Sequence, residues 1–113
     1  MEEGNDINPQ TQSFVQAFAS GNALLLTQTL VPMEKLKRDQ LFPLLQQWVE
    51  ILENALVNRC GMQVASAMAR QLSASRSSRD LMEAVKQLKK CMEYAQGNVS
   101  VAAICGYLSW HLR

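Results

Sequence analysis

The sequence predicts an all-α protein, a single compact bundle of five or six helices. Three observations carry that expectation. Five glycines and three prolines in 113 residues fall well below the roughly 12% that these two types average, whereas a sandwich or barrel needs a turn about every 8–12 residues. Leu, Ala, Met, Gln, Glu, Lys and Arg, the good helix formers, fill most of the long segments. Where apolar residues recur, they do so at three- and four-residue spacing, the helical period. A chain of this size buries about two-thirds of the surface its unfolded form exposes, enough for one core without disulfides or metal.

Residues 1–7 (Met-Glu-Glu-Gly-Asn-Asp-Ile) are polar and acidic and read as a disordered tail. Asn8-Pro9 fits an N-cap followed by proline at the first helical position, where its missing N–H is harmless. The first helix then carries Phe14, Val15, Ala17 and Phe18 and stops at Ser20-Gly21. Asn22 can cap a short second helix, whose Leu24, Leu25, Leu26 and Leu30 leave it almost wholly apolar, and Pro32 is expected to end it.

The central helix is the longest. It starts between Glu34 and Pro43 and runs to about Arg59, with Leu41, Leu44, Leu45, Trp48, Leu52, Ala55 and Leu56 repeating at three and four. Pro43 either opens this helix or kinks it, and Gly61 suits a left-handed stop. A large filler at mid-length is expected to be buried, which selects Trp48. A fourth helix carries Val64, Ala65, Met68, Ala69 and Leu72. Ser73 to Ser78 reads as a loop, and Ser77-Ser78-Arg79-Asp80 as a capping box in which Asp80 reaches back to the Ser77 amide.

The fifth helix is the most regular. Leu81, Ala84, Val85, Leu88, Cys91, Met92 and Ala95 form one stripe and Glu83, Lys86, Gln87, Lys89, Lys90 and Glu93 the other face. The central helix is expected to pack against it. Gln96-Gly97 breaks the pattern, and Asn98 or Ser100 caps a last helix running to the C-terminus.

The formal net charge is +1, but Glu2, Glu3 and Asp6 supply three of the ten acids, so residues 7–113 carry +4. That is mild for a nucleic-acid footprint, which shows as a strongly basic face. Cys60, Cys91 and Cys105 are odd in number, widely spaced and without a Cys-x-x-Cys, which favours reduced, buried thiols over a disulfide framework. No segment approaches the roughly 18 apolar residues of a membrane span and no leader pattern opens the chain, so a cytoplasmic location is expected.

Little in the sequence offers chemistry. The five glycines are isolated and form no phosphate loop. His111 has no acid or thiol near it in sequence and reads as a solvated terminal histidine. A triad or a metal site would need partners converging in space. No catalytic, cofactor-binding or metal residues are therefore assigned, and no bound metal, nucleotide or ATP hydrolysis is expected of this chain. Asn98-Val99-Ser100 matches a glycosylation sequon, a weak pattern. Lys86, Lys89 and Lys90, with Arg76 and Arg79 upstream, form the one basic feature: a solvated helix face, or a contact for DNA or an acidic partner.

The last helix is the informative one. Val101, Ile104, Cys105, Leu108 and Leu112 make a core stripe, yet Ala103, Tyr107 and Trp110 lie on a different face. A helix apolar nearly all round must be covered nearly all round. Either it sits buried at the centre of the bundle, or the Ala103, Tyr107 and Trp110 face meets a partner, since aromatic residues are enriched among interface anchors.

The run Tyr94-Ala95-Gln96-Gly97-Asn98-Val99-Ser100, followed by an apolar helix ending Tyr107-Leu108-Ser109-Trp110-His111-Leu112, resembles the end of the bacterial DNA polymerase III delta-prime subunit. That family closes with Asn-x-Asn leading into a leucine-rich helix. Asn98 matches the first Asn, and Ser100 stands in place of the second. The order of a long helix carrying Trp48, a short helix, a Ser/Arg loop and an amphipathic helix is also similar, and the resemblance spans about residues 11–113. It implies the C-terminal collar domain of a clamp loader, in which five such domains form a ring above ATPase-fold domains. The chain would then be a domain taken from a longer subunit. Residues 8–113 would form the oligomerisation domain, and its partners would be the helical domains of the other clamp-loader subunits. The competing reading is a free-standing helical adaptor or regulator with a mildly basic face toward nucleic acid. An enzyme finds no nucleophile–base pair or metal set to rest on.

Overall fold

The computed structural model describes residues 9–64, 66–97 and 99–112. These form six α-helices: α1 (Pro9–Ser20), α2 (Ala23–Met33), α3 (Arg38–Arg59), α4 (Ala67–Ser75), α5 (Ser78–Gln96) and α6 (Val101–His111), with no strand among the described residues. The acidic tail and the Asn8 cap lie outside the described residues. Pro9 does open α1.

Helices α1 and α3 end by the same device. Gly21 and Gly61 have φ of +67° and +98°, the left-handed region that costs glycine nothing. The Gly21 and Asn22 amides donate back to the Phe18 and Ala17 carbonyls, both at 3.2 Å, while Gly61 and Met62 donate to Asn58 and Val57 at 3.0 and 3.3 Å. Both are Schellman closures. Asn22 then caps α2, its side-chain oxygen accepting from the Leu24 and Leu25 amides at 3.0 and 3.1 Å.

One boundary differs from expectation at a proline, while the start of α3 falls inside the expected range of Glu34 to Pro43. Helix α2 runs one residue past Pro32, to Met33. Helix α3 opens at Arg38, with the Lys37 amide donating to the Gln40 side chain at 2.9 Å, so Pro43 lies inside it. The carbonyl that Pro43 leaves without its donor belongs to exposed Asp39, where water can serve it.

The serine stretch is a larger correction. Ser73, Ala74 and Ser75 complete α4 and Ser78 opens α5, which leaves only Arg76 and Ser77 between them. Packing and local bonds override the weak propensity of serine. Ser75 Oγ donates to the Gln71 carbonyl at 2.8 Å. Arg59 clamps the corner, its Nη1 donating to the Ser73 and Arg76 carbonyls at 2.6 and 3.1 Å and its Nε to Ser78 Oγ at 3.2 Å. Val64 precedes α4, which starts later than its apolar spacing suggests because Ser66 caps it, accepting from the Ala69 amide at 3.2 Å. Of the proposed capping box, Ser77 Oγ accepts from the Asp80 amide at 3.1 Å. The Asp80 carboxylate lies 3.9 Å from Arg76 Nε.

Helices α3 and α5 run antiparallel side by side, tied at one end by Arg38 donating to the Gly97 carbonyl and at the other by Arg59 and Ser78. Helix α4 packs on α3, α1 on α2 and α4, and α6 on α2 and α5. Trp48, fully buried as expected, fills the centre. Its indole stacks on Phe14 with centroids 4.1 Å apart and planes 2° from parallel. The indole N–H donates to Thr11 Oγ1 at 3.0 Å, and the Thr11 hydroxyl donates to Gln47 Oε1 at 2.6 Å. This relay satisfies the one polar atom that tryptophan brings into the core.

Candidate functional site

Helix α6 begins at Ser100, whose hydroxyl accepts from the Ala103 amide at 3.1 Å; Asn98 lies outside the described residues. Val101, Ile104, Cys105 and Leu108 turn inward as expected, and Leu112 is buried with them. The other flank divides. Ala103 is exposed and Trp110 is 65% exposed, while Tyr107 is half-buried.

Tyr107 is held toward α5. Its hydroxyl donates to Gln87 Oε1 at 2.6 Å, and Gln87 Nε2 donates to Glu83 at 2.7 Å. Its ring meets Tyr94 edge-on at 5.8 Å and stacks on exposed His111 at 4.1 Å. The ring therefore forms a fixed wall beside Ala103 and Trp110. Ala102 and Gly106 are also exposed, and nothing lies within 4 Å of where a Cβ on Gly106 would stand. The outward surface of α6 thus carries Trp110 beside Ala102, Ala103, Gly106 and His111, with no Asp, Glu, Lys or Arg from Val101 to Leu112.

A second apolar surface did not emerge from the sequence reading. Leu24, Leu25 and Val31 of α2 are 65%, 42% and 52% exposed, on the helix that packs against α6. The signal was present, because Ala23–Met33 also lacks any charged residue, and the same argument about an all-round apolar helix applies to it.

The basic residues do not form one patch. Lys86, Lys89 and Lys90 are exposed on α5, but Lys89 Nζ lies 3.1 Å from Glu53 of α3. Glu93 stands beside them along the same groove. Arg76 is folded over the Phe18 ring, 4.3 Å from its centroid. Carboxylates interleaved with lysines in this way weaken any field a phosphate backbone would feel.

Of the three thiols expected to be buried, Cys91 and Cys105 are, and Cys60 is exposed. Cys60 caps the end of α3, beyond the last core residue of its stripe. Burial pushes the Cys91 and Cys105 thiols up to about 12, with Cys105 adding to the effect at Cys91 and Glu34 to that at Cys105, so neither is a nucleophile at neutral pH. Among the described residues no three His, Cys, Asp or Glu side chains converge to hold a metal ion. None of the described helices is long and apolar enough to cross a membrane.

No family model, no curated protein sequence and no solved structure matches the chain.

Proposed function

We propose that this chain is a protein–protein oligomerisation domain, the collar of a bacterial replication clamp loader, and that the outer face of α6 is its contact with a neighbouring subunit. One observation supports this above the others: Trp110 is 65% exposed on a helix with no Asp, Glu, Lys or Arg from Val101 to Leu112. A tryptophan 65% exposed near Ala103 and Gly106 suits an anchor that inserts between the side chains of a second helical surface. Ala103 and Gly106 allow close approach, and Tyr107 walls one side. The resemblance to the delta-prime subunit supplies the identity of the neighbours, the C-terminal helical domains of the other clamp-loader subunits. The domain itself performs no chemistry in this reading.

The test is reconstitution. The purified chain is mixed with the helical domains of its companion subunits and the complex is followed by light scattering after gel filtration. Assembly is expected with the native chain and is expected to weaken about thirtyfold or more with Trp110→Ala, the loss of an anchor contributing about 2 kcal/mol. Equal assembly by both chains would remove α6 as the interface.

A further inference from the structure

A second surface lies along the seam of α3 and α5. Two adjoining basins of about 540 and 450 Å³ share Glu53, Lys89 and Glu93 and so form one trough. Its apolar lining comes from Phe42, Val49 and Leu56 on α3 and Val85, Met82 and Met92 on α5. Met82 is 61% exposed although it sits in the interior of its helix. The α5 side of the trough runs from Met82 to Gln96, about 21 Å at 1.5 Å per residue. The lining residues on each helix recur at three and four along the flank of the core stripe, which Val49 and Val85 share.

Along α5 the charges run Lys86, Lys89, Lys90 and Glu93, with Glu53 and Glu50 across from them on α3. Lys86 stands toward the end lined by Leu56 and Met82, and Lys90 follows Lys89 at the middle. Glu50 stands at the end lined by Phe42 and Met92, with Glu93 between. Lys89 and Glu53 cross the middle at 3.1 Å, with side chains 58% and 48% exposed. An ion pair so exposed contributes about 0–1 kcal/mol, so turning Lys89 aside to open the whole trough costs little.

We propose that this trough docks an amphipathic helix of about four turns from a protein partner, acidic from the Met82 end to the middle, where it meets Lys86 and Lys90, and basic at the end that meets Glu50 and Glu93. The length, the apolar lining at helical spacing on both sides and the change along α5 from lysines to Glu93, with Glu50 across from it, together specify that occupant. A small ligand is a poorer fit, because its orienting polar groups would have to converge inside the pocket, and here they line the rim. The surface is separate from the α6 face, and neither proposal depends on the other.

The probe is a fluorescein-labelled 16-residue helical peptide with a Leu/Met stripe, glutamates in one half and lysines in the other, followed by anisotropy. Saturable binding to the native chain is expected. Met82→Asp should weaken it at least tenfold, and so should Lys86→Glu with Lys90→Glu, each with the helical circular dichroism retained. The doubly acidic variant should instead gain affinity for a peptide carrying lysines in both halves. Trp110→Ala should leave binding unchanged. The proposal is overturned by no saturable binding up to millimolar peptide, by binding indifferent to both groove variants, or by binding lost with Trp110→Ala. Dimerisation of the chain that Met82→Asp abolishes would assign the trough to a second copy and overturn it as well.

Discussion

Helices α5 and α6 bury the same kind of stripe and differ on the side that faces out. On α5 the inward residues Leu81, Ala84, Leu88, Cys91 and Ala95 are backed by Glu83, Lys86, Lys89, Lys90 and Glu93. On α6 the inward Val101, Ile104, Cys105 and Leu108 are backed by Ala102, Ala103, Gly106 and Trp110. Inward spacing decides which face packs, and outward composition decides whether the other face is finished in water. Charges leave α5 complete as a surface helix apart from the trough at its flank. From Val101 to Leu112 α6 carries no Asp, Glu, Lys or Arg, and its neighbour α2 shares the lack. Scattered exposed apolar residues are ordinary on any protein, whereas a contiguous patch marks an interaction site.

One core lies beneath both helices, and Trp48 is where it is most easily broken. Trp48→Ala removes the Phe14 stack and orphans the Thr11 relay, so it should cost on the order of 3–5 kcal/mol. A loss under about 1 kcal/mol in urea melts would mean that the centre is packed differently.

Next come the matched inward residues. Leu88 on α5 and Leu108 on α6 are both fully buried. Each Leu→Ala change should cost about 2–5 kcal/mol. A large loss for Leu88 beside a small one for Leu108 would show that α6 is only loosely docked and would end the equivalence of the inward faces.

The thiols sharpen the same point by titration. Cys91 of α5 and Cys105 of α6 ionise near an ordinary 9.0 when unfolded and are pushed up to about 12 by burial in the folded chain. Below about 9 both states hold the protons and stability does not depend on these groups. Between 9 and 12 the unfolded chain releases protons that the folded chain keeps, so stability falls as pH rises. Urea melts at pH 8 and pH 10.5 should show a steeper loss in the native chain than in the Cys91→Ala, Cys105→Ala double variant. Cys60, being exposed, should react with a thiol reagent in the folded protein while the other two wait for unfolding.

Much of this fold was legible because period and punctuation agree. The stripe of α5, the Gly21 and Gly61 stops, the Asn22 cap and the buried Trp48 all follow from local rules. What escaped depends on partners distant in sequence. Ser73–Ser75 joined α4 because Arg59, from another helix, takes up the Ser73 carbonyl. Thr11 is wholly buried because Trp48 offers it an indole N–H, which no neighbour in sequence could reveal. The trough between α3 and α5 was hidden for the same reason: its lining residues sit on the flanks of two stripes that meet only on packing. Tyr107 was grouped with Trp110 by spacing, and the approach of Gln87 and Tyr94 on α5 half-buries the one while the other stays exposed.

The smallest expected effect bears hardest on the comparison. Trp110 is 65% exposed, so Trp110→Ala removes little buried surface and leaves no cavity. Surface changes of this kind stay within about 0.5 kcal/mol, and the melting temperature of the isolated domain should hardly move. A tryptophan that served the fold would behave like Leu108 instead and lower it clearly. Tyr107→Phe is the internal control on the same flank. It deletes the hydroxyl that bonds to Gln87 at 2.6 Å and keeps the ring, so it should lower stability by about 0.5–1.5 kcal/mol and leave assembly intact. If Trp110→Ala spares stability and loses assembly while Tyr107→Phe does the opposite, the outer face of α6 is an interface whose wall belongs to the fold and whose anchor belongs to the partner. If both variants act on stability alone, the uncharged face of α6 is merely tolerated, and its contrast with α5 carries no function.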